Sequence, residues 1–142
     1  MYACGGRGDL WRFDGSHWYN TDIPTNVGLK NVCCAKDGFV YVTTDRKEIL
    51  RGRNDEWDIV TQDLTDEVFE GIVEFEQNVI VSTVSSLYRV DGGTFRPANL
   101  DEPQMESRAH IAAGDGVLVV AGRECAAIFD GSSWATILDR IP

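Results

Sequence analysis

The chain has 142 residues, 43% of them hydrophobic and 25% charged, with a net charge of −10 and a pI near 4.5. That length supports one domain with a real core. The negative charge argues against phosphate backbones and anionic lipid surfaces as partners, so nucleic acid and membrane are set aside. No apolar run approaches the roughly 20 residues that span a bilayer. The first residues, Met1-Tyr2-Ala3-Cys4-Gly5-Gly6, lack a basic segment followed by an apolar stretch, so no secretory leader is expected. Four cysteines, Cys4, Cys33, Cys34 and Cys125, show no C-x-x-C spacing. They are expected to be buried free thiols without metal, in a reducing cytosol.

Taken in chain order, short β-type runs rich in Val, Ile and aromatic residues alternate with turn residues. The first are Met1-Tyr2-Ala3 and Leu10-Trp11-Arg12-Phe13, followed by the turn string Asp14-Gly15-Ser16-His17-Trp18. Next come Val32-Cys33-Cys34-Ala35, Val40-Tyr41-Val42 and Ile49-Leu50-Arg51-Gly52, then Arg53-Asn54-Asp55-Glu56-Trp57. The same order returns as Ile72-Val73-Glu74-Phe75, Val79-Ile80-Val81, Leu87-Tyr88-Arg89-Val90 and Asp91-Gly92-Gly93-Thr94-Phe95. It returns again as Ile111-Ala112-Ala113, Leu118-Val119-Val120, Ala126-Ala127-Ile128-Phe129 and Asp130-Gly131-Ser132-Ser133-Trp134. The closing aromatics, Trp18, Trp57, Phe95 and Trp134, are spaced by 39, 38 and 39 residues. So regular a period marks a repeat architecture. Asp-Gly pairs supply the positive φ angles of tight hairpins. No segment holds an apolar stripe of helical period over three turns. Thr65 to Phe75 is allowed one short turn at most.

Four antiparallel strands in a unit of about 39 residues resemble the β-propeller superfamily, with its WD40, YVTN and Asp-box blades. Asp91-Gly92-Gly93-Thr94-Phe95 is similar to an Asp-box turn, although Arg89 stands where the box has a serine. Gly-His and Trp-Asp pairs of the WD40 kind are missing, so no subfamily is assigned. The expected fold is all-β: a single domain over residues 1–142, divided into an incomplete repeat 1–24 and complete repeats 25–64, 65–103 and 104–142. Met1 aligns with Val40, so the first unit starts at its second strand. The result is a partial ring of roughly 3.75 blades, for which a homodimer of half-rings is the expected closure. Trp18, Trp57, Phe95 and Trp134 are expected to be buried blade anchors, because a large residue at one phase of every repeat packs against the next blade.

No catalytic template is met. There is no G-x-S-x-G elbow, no phosphate-cradling glycine loop before a helix, and no metal-ligand spacing around His17 or His110. No cofactor, metal or catalytic residue is therefore assigned. Arg7-Gly8-Asp9 reads as a hairpin turn. Charge is more informative. From Asp58 to Tyr88 there are seven acids and no Lys or Arg. Asp63, Asp66, Glu67 and Glu70 of that run, with Asp101, Glu102 and Glu106, fall in connections between repeats. By analogy with the fold, these connections share one face with the second-to-third-strand turns. That face is expected to be acidic and suited to a basic protein, with Arg46, Lys47, Arg51 and Arg53 as a local basic interruption. The functional expectation is a non-enzymatic protein-binding scaffold. Resemblance to bacterial propeller proteins implies one concrete version, an immunity or inhibitor protein that caps a basic toxin. A carbohydrate-binding propeller and a propeller hydrolase are the alternatives.

Overall fold

The computed structural model describes residues 1–138. Its strands are β1 (Tyr2–Cys4), β2 (Leu10–Phe13), β3 (Trp18–Thr21), β4 (Leu29–Cys34), β5 (Val40–Thr44), β6 (Ile49–Arg53), β7 (Glu56–Val60), β8 (Gly71–Phe75), β9 (Asn78–Ser82), β10 (Leu87–Asp91), β11 (Thr94–Pro97), β12 (His110–Gly114), β13 (Val117–Gly122), β14 (Cys125–Phe129) and β15 (Trp134–Leu138). They form one three-stranded sheet, β1-β2-β3, and three four-stranded antiparallel sheets, β4-β5-β6-β7, β8-β9-β10-β11 and β12-β13-β14-β15. These are blades 1 to 4. No helix is present among the described residues, including the segment from Thr65 onward.

Each blade follows from its turns. Asp14 accepts hydrogen bonds from the N–H groups of Ser16 and His17 at 2.8 and 2.9 Å. Asp130 does the same for Ser132 and Ser133, both at 2.8 Å. Gly15 and Gly131 sit at φ 113° and 95°, a region open to glycine and strained for other residues. In blades 1 and 4 the carboxylate fixes the turn, and in all four blades the closing aromatic pairs with the strand before it: Phe13 with Trp18, Gly52 with Trp57, Val90 with Phe95, and Phe129 with Trp134.

Successive side chains of a strand point to opposite faces, so every blade has a face toward its predecessor and a face toward its successor. Tyr2, Cys4 and Leu10 of blade 1 meet Val40, Val42, Leu50 and Trp57 of blade 2. Tyr41, Ile49 and Val60 on the other side of blade 2 meet Ile72, Val81, Tyr88 and Phe95 of blade 3. Phe75, Ile80 and Leu87 of blade 3 meet Leu118, Val120, Phe129 and Trp134 of blade 4. The inner strands run in chain order, β4 against β8 and β8 against β12, with β1 against β4. The core is therefore a series of layers between blades.

The four aromatic positions share one role and differ in exposure. Phe95 is buried and stacks on Tyr88 at 4.7 Å between centroids. Trp57 and Trp134 are half-buried and donate their indole N–H groups to the carbonyls of Asn54 and Leu100. Trp18, expected to be buried, is 47% exposed. The cause is its direction. The closing aromatic points toward the preceding blade, and the described residues supply no blade before blade 1. Phe95→Ala is accordingly expected to cost about 3–5 kcal/mol, as for other buried aromatics. Trp18→Ala in the isolated chain should cost far less, within about 1 kcal/mol for an exposed position. Urea unfolding of the two variants measures the contrast.

Candidate functional site

Two sides of the molecule carry the loops. One side holds the first-to-second and third-to-fourth strand turns of each blade. The other holds the second-to-third turns and the connections between blades. The seven acids expected in the connections between repeats lie on the connection side. Asp63, Asp66, Glu67 and Glu70 occupy the connection between β7 and β8. Asp101, Glu102 and Glu106 occupy the one between β11 and β12.

The turn between β9 and β10 joins these two groups. Glu67 accepts hydrogen bonds from the Ser85 N–H at 3.1 Å and the Ser85 hydroxyl at 2.7 Å. Hydrogen bonds from Thr83 and Ser85 hold its carboxyl below the ordinary glutamate range. Arg108 reaches the same turn from the other connection. Its side chain donates to the Ser85 carbonyl at 2.7 Å and the Pro103 carbonyl at 3.1 Å, and its backbone N–H donates to the Val84 carbonyl at 2.8 Å. It also lies 4.0 Å from Glu102. This clamp has no signature in the sequence, because an arginine among acids has no period to reveal it.

Local partners divide the seven acids. Glu70 pairs with Lys30 at 3.3 Å, Asp66 with Lys47 at 3.6 Å, and Glu102 with Arg108. Asp63, Asp66, Asp101 and Glu106 are exposed. A shallow cleft of about 330 Å³ opens beside Lys47, Gln62, Asp63 and Asp66. A second, of about 290 Å³, opens beside Tyr88, Asn99, Asp101 and Glu102. The expected basic interruption is split. Arg46 and Lys47 lie in the turn between β5 and β6, on the acidic side. Arg51 lies 3.5 Å over the Phe39 ring and Arg53 5.6 Å from it, at the turn between β4 and β5 on the opposite side. Strand β6 crosses the blade, so residues at its two ends serve different surfaces.

On that opposite side, a cavity of about 390 Å³ is lined by Cys34, Lys36, Glu74, Glu76 and Asp115. Glu74, the acid of the inner strands, accepts a hydrogen bond from the Lys36 N–H and lies 4.0 Å from the Lys36 ammonium. Its carboxylate is thereby committed to a structural contact. No group of three or more His, Cys, Asp and Glu is placed to hold a metal among the described residues.

All four cysteines are free, but they are not uniformly buried: Cys34 is exposed. Cys33 points into the layer between blades 2 and 3. Burial, reinforced by nearby Glu74, pushes its thiol up to about 11. An alkylating reagent near pH 8 should therefore modify Cys34 well before Cys33, since only the thiolate reacts. Peptide mapping after brief labelling tests this order; equal labelling would contradict it.

Asp130 generates a pH prediction. Hydrogen bonds from the Ser133 and Ser132 N–H groups lower its carboxyl from 3.8 to about 2. A depressed folded pKa contributes stability that is present above the unfolded pKa and is lost as pH falls through the folded one. Asp130→Asn should lower Tm at neutral pH. The gap should narrow between about pH 4 and pH 2, where the native carboxylate takes up its proton.

No protein-family model matches the chain. Over 137 residues it is 36% identical to the immune protein Tsi7 of Pseudomonas aeruginosa, a match that covers 96% of this chain and 45% of that relative. The chain thus spans less than half the length of this curated relative. Two solved structures of virginiamycin B lyase from Staphylococcus aureus share the fold. A catalytically inactive variant with quinupristin superposes with a TM-score of 0.70 over 95% of this chain and 53% of its own, at 14% identity. The selenomethionine form gives 0.71 over 99% and 55%, also at 14% identity. This likeness establishes the propeller architecture, and at that identity it carries the fold alone.

Proposed function

We propose that this chain is an immunity-type protein, a non-enzymatic propeller scaffold that binds and neutralises a basic protein toxin. The observation that carries the reading is the 36% identity to an immune protein across 96% of the chain. The geometry supports it. Propeller loops present a broad surface on a rigid frame, and such loops are where binding resides. The connection side gathers Asp63, Asp66, Asp101 and Glu106 in exposed positions on two neighbouring blades. A chain of net charge −10 steers a cationic partner to such a surface. Four free cysteines fit a reducing cytosol, where we place the protein.

The carbohydrate-binding reading loses ground here. It needs exposed indoles at equivalent positions, whereas the indole N–H groups of Trp57 and Trp134 are spent on carbonyls within the chain. For the hydrolase reading, Glu74 is tied to Lys36, and 14% identity to a lyase transfers no chemistry.

Affinity capture from a lysate that contains a candidate toxin tests the proposal. The toxin should be retained at low salt and released near 0.5 M salt, where screening is short. Asp63→Lys with Asp101→Lys should weaken capture by about tenfold or more through slower association. Undiminished capture by this double variant would remove the acidic side from the interface. Retention of an acidic protein instead would overturn the charge argument.

A further inference from the structure

The two end faces of the blade array are largely apolar. The face of blade 1 that looks away from blade 2 carries Met1, Ala3, Trp11, Phe13 and Trp18. The face of blade 4 that looks away from blade 3 carries Ala112, Val119, Ala121, Ala126, Ile128 and Ile137. Both are more exposed than the same repeat positions inside the array. Trp11 is 39% exposed, while its equivalents Leu50, Tyr88 and Ala127 are 0%, 9% and 1%. Ile137 is 60% exposed, while its equivalent Val60 is 3%. The interior of the molecule shows what covers such faces: the successor face of one blade against the predecessor face of the next.

Charge and size both depart from the interior pattern at blade 4. The successor faces of blades 1, 2 and 3 each carry an arginine at one equivalent position, Arg12, Arg51 and Arg89; blade 4 has Ile128 there. No Asp, Glu, Lys or Arg occupies a strand position on either end face. Blade 4 is also small where earlier blades are large. Ala126 stands in place of Ile49 and Leu87, and Val119 in place of Tyr41 and Ile80. Blade 1 ends on the large rings of Trp11, Phe13 and Trp18, of which Trp11 and Trp18 are exposed. Because the two open faces lie at opposite ends of the array, one copy can present its blade 1 face to the blade 4 face of another.

We propose that a second copy of this chain covers both end faces. The predecessor face of blade 1 of each copy packs on the successor face of blade 4 of the other, closing a two-fold ring. The chain matches 53% and 55% of the propeller neighbours' length, so a ring like theirs needs about as many blades again. The proposal is independent of the toxin-binding reading: it uses blade faces instead of loops, and apolar contact instead of charge.

Light scattering on the intact chain tests it. The expected species has twice the 15.8 kDa chain mass and persists at 0.5 M salt, because apolar burial is not screened. Two variants at exposed positions, Trp18→Asp and Ile137→Asp, should each be folded by circular dichroism and monomeric. Mixed in equal amounts they should recover the dimer, because one of its two junctions then joins two unaltered faces. A wild-type monomer, which would leave these faces to further blades of a longer chain, overturns the proposal. So does an open-ended oligomer, a dimer indifferent to both variants, or a mixture that stays monomeric.

Discussion

A sheet of four strands has two faces, and in this chain both are apolar. Neither can be buried within one blade. Leu50 points toward blade 1 while Ile49, its neighbour in sequence, points toward blade 3, and both are wholly buried. A fully buried side chain of this size gains about 1.5–3 kcal/mol over its exposed state, and the gain exists only when an adjacent blade supplies the opposing surface. Stability is thus a property of junctions, as in other stacked repeats. The turn carboxylates, the closing aromatics and Gly52 serve the junctions. Gly52 keeps the backbone bare where a Cβ would meet the Trp57 ring at 2.7 Å.

This constraint explains what could be read from the sequence. Every junction needs the same chemistry at the same phase, so the period of Trp18, Trp57, Phe95 and Trp134 announces the blade, its four strands and its turns. Position within the array is a different kind of information. Trp18 has the same local sequence as Trp134, Asp-Gly-Ser followed by one residue and Trp, yet the first is exposed and the second half-buried. Nothing in a repeat reports whether a further blade lies beyond it. Cys33 and Cys34 make the same point at finer scale. The inner-strand assignment places them on opposite faces, but which face meets a neighbour is decided by the blade that arrives.

Charge was legible as a run and illegible as a surface. Asp63, Asp66, Glu67 and Glu70 are close in sequence and do share a side. Their partners come from elsewhere: Lys30 from β4, Lys47 from the turn after β5, and Ser85 from the turn after β9. The field at the surface depends on these local neutralisations more than on the total of −10. Arg51 and Arg53 show the converse, two cations close in sequence to Lys47 that serve the other side of the blade.

The apolar faces and the acidic loops are orthogonal, which lets assembly and recognition coexist. Junctions between blades use side chains that stand perpendicular to the sheets. The candidate docking surface uses the ends of the strands. Adding a blade face at either end of the array covers Trp18 or Ile137 without touching Asp63 or Asp101. In a ring closed by two copies, the two-fold axis coincides with the ring axis, so the connection sides of both copies face the same way. Two acidic patches then lie on one rim. A basic partner would meet their combined field, which strengthens steering at low salt and decays over about 10 Å at 0.1 M. Closing the ring through uncharged blade faces would therefore keep the like charges of two chains of net charge −10 out of the junctions and on exposed loops, where solvent screens them.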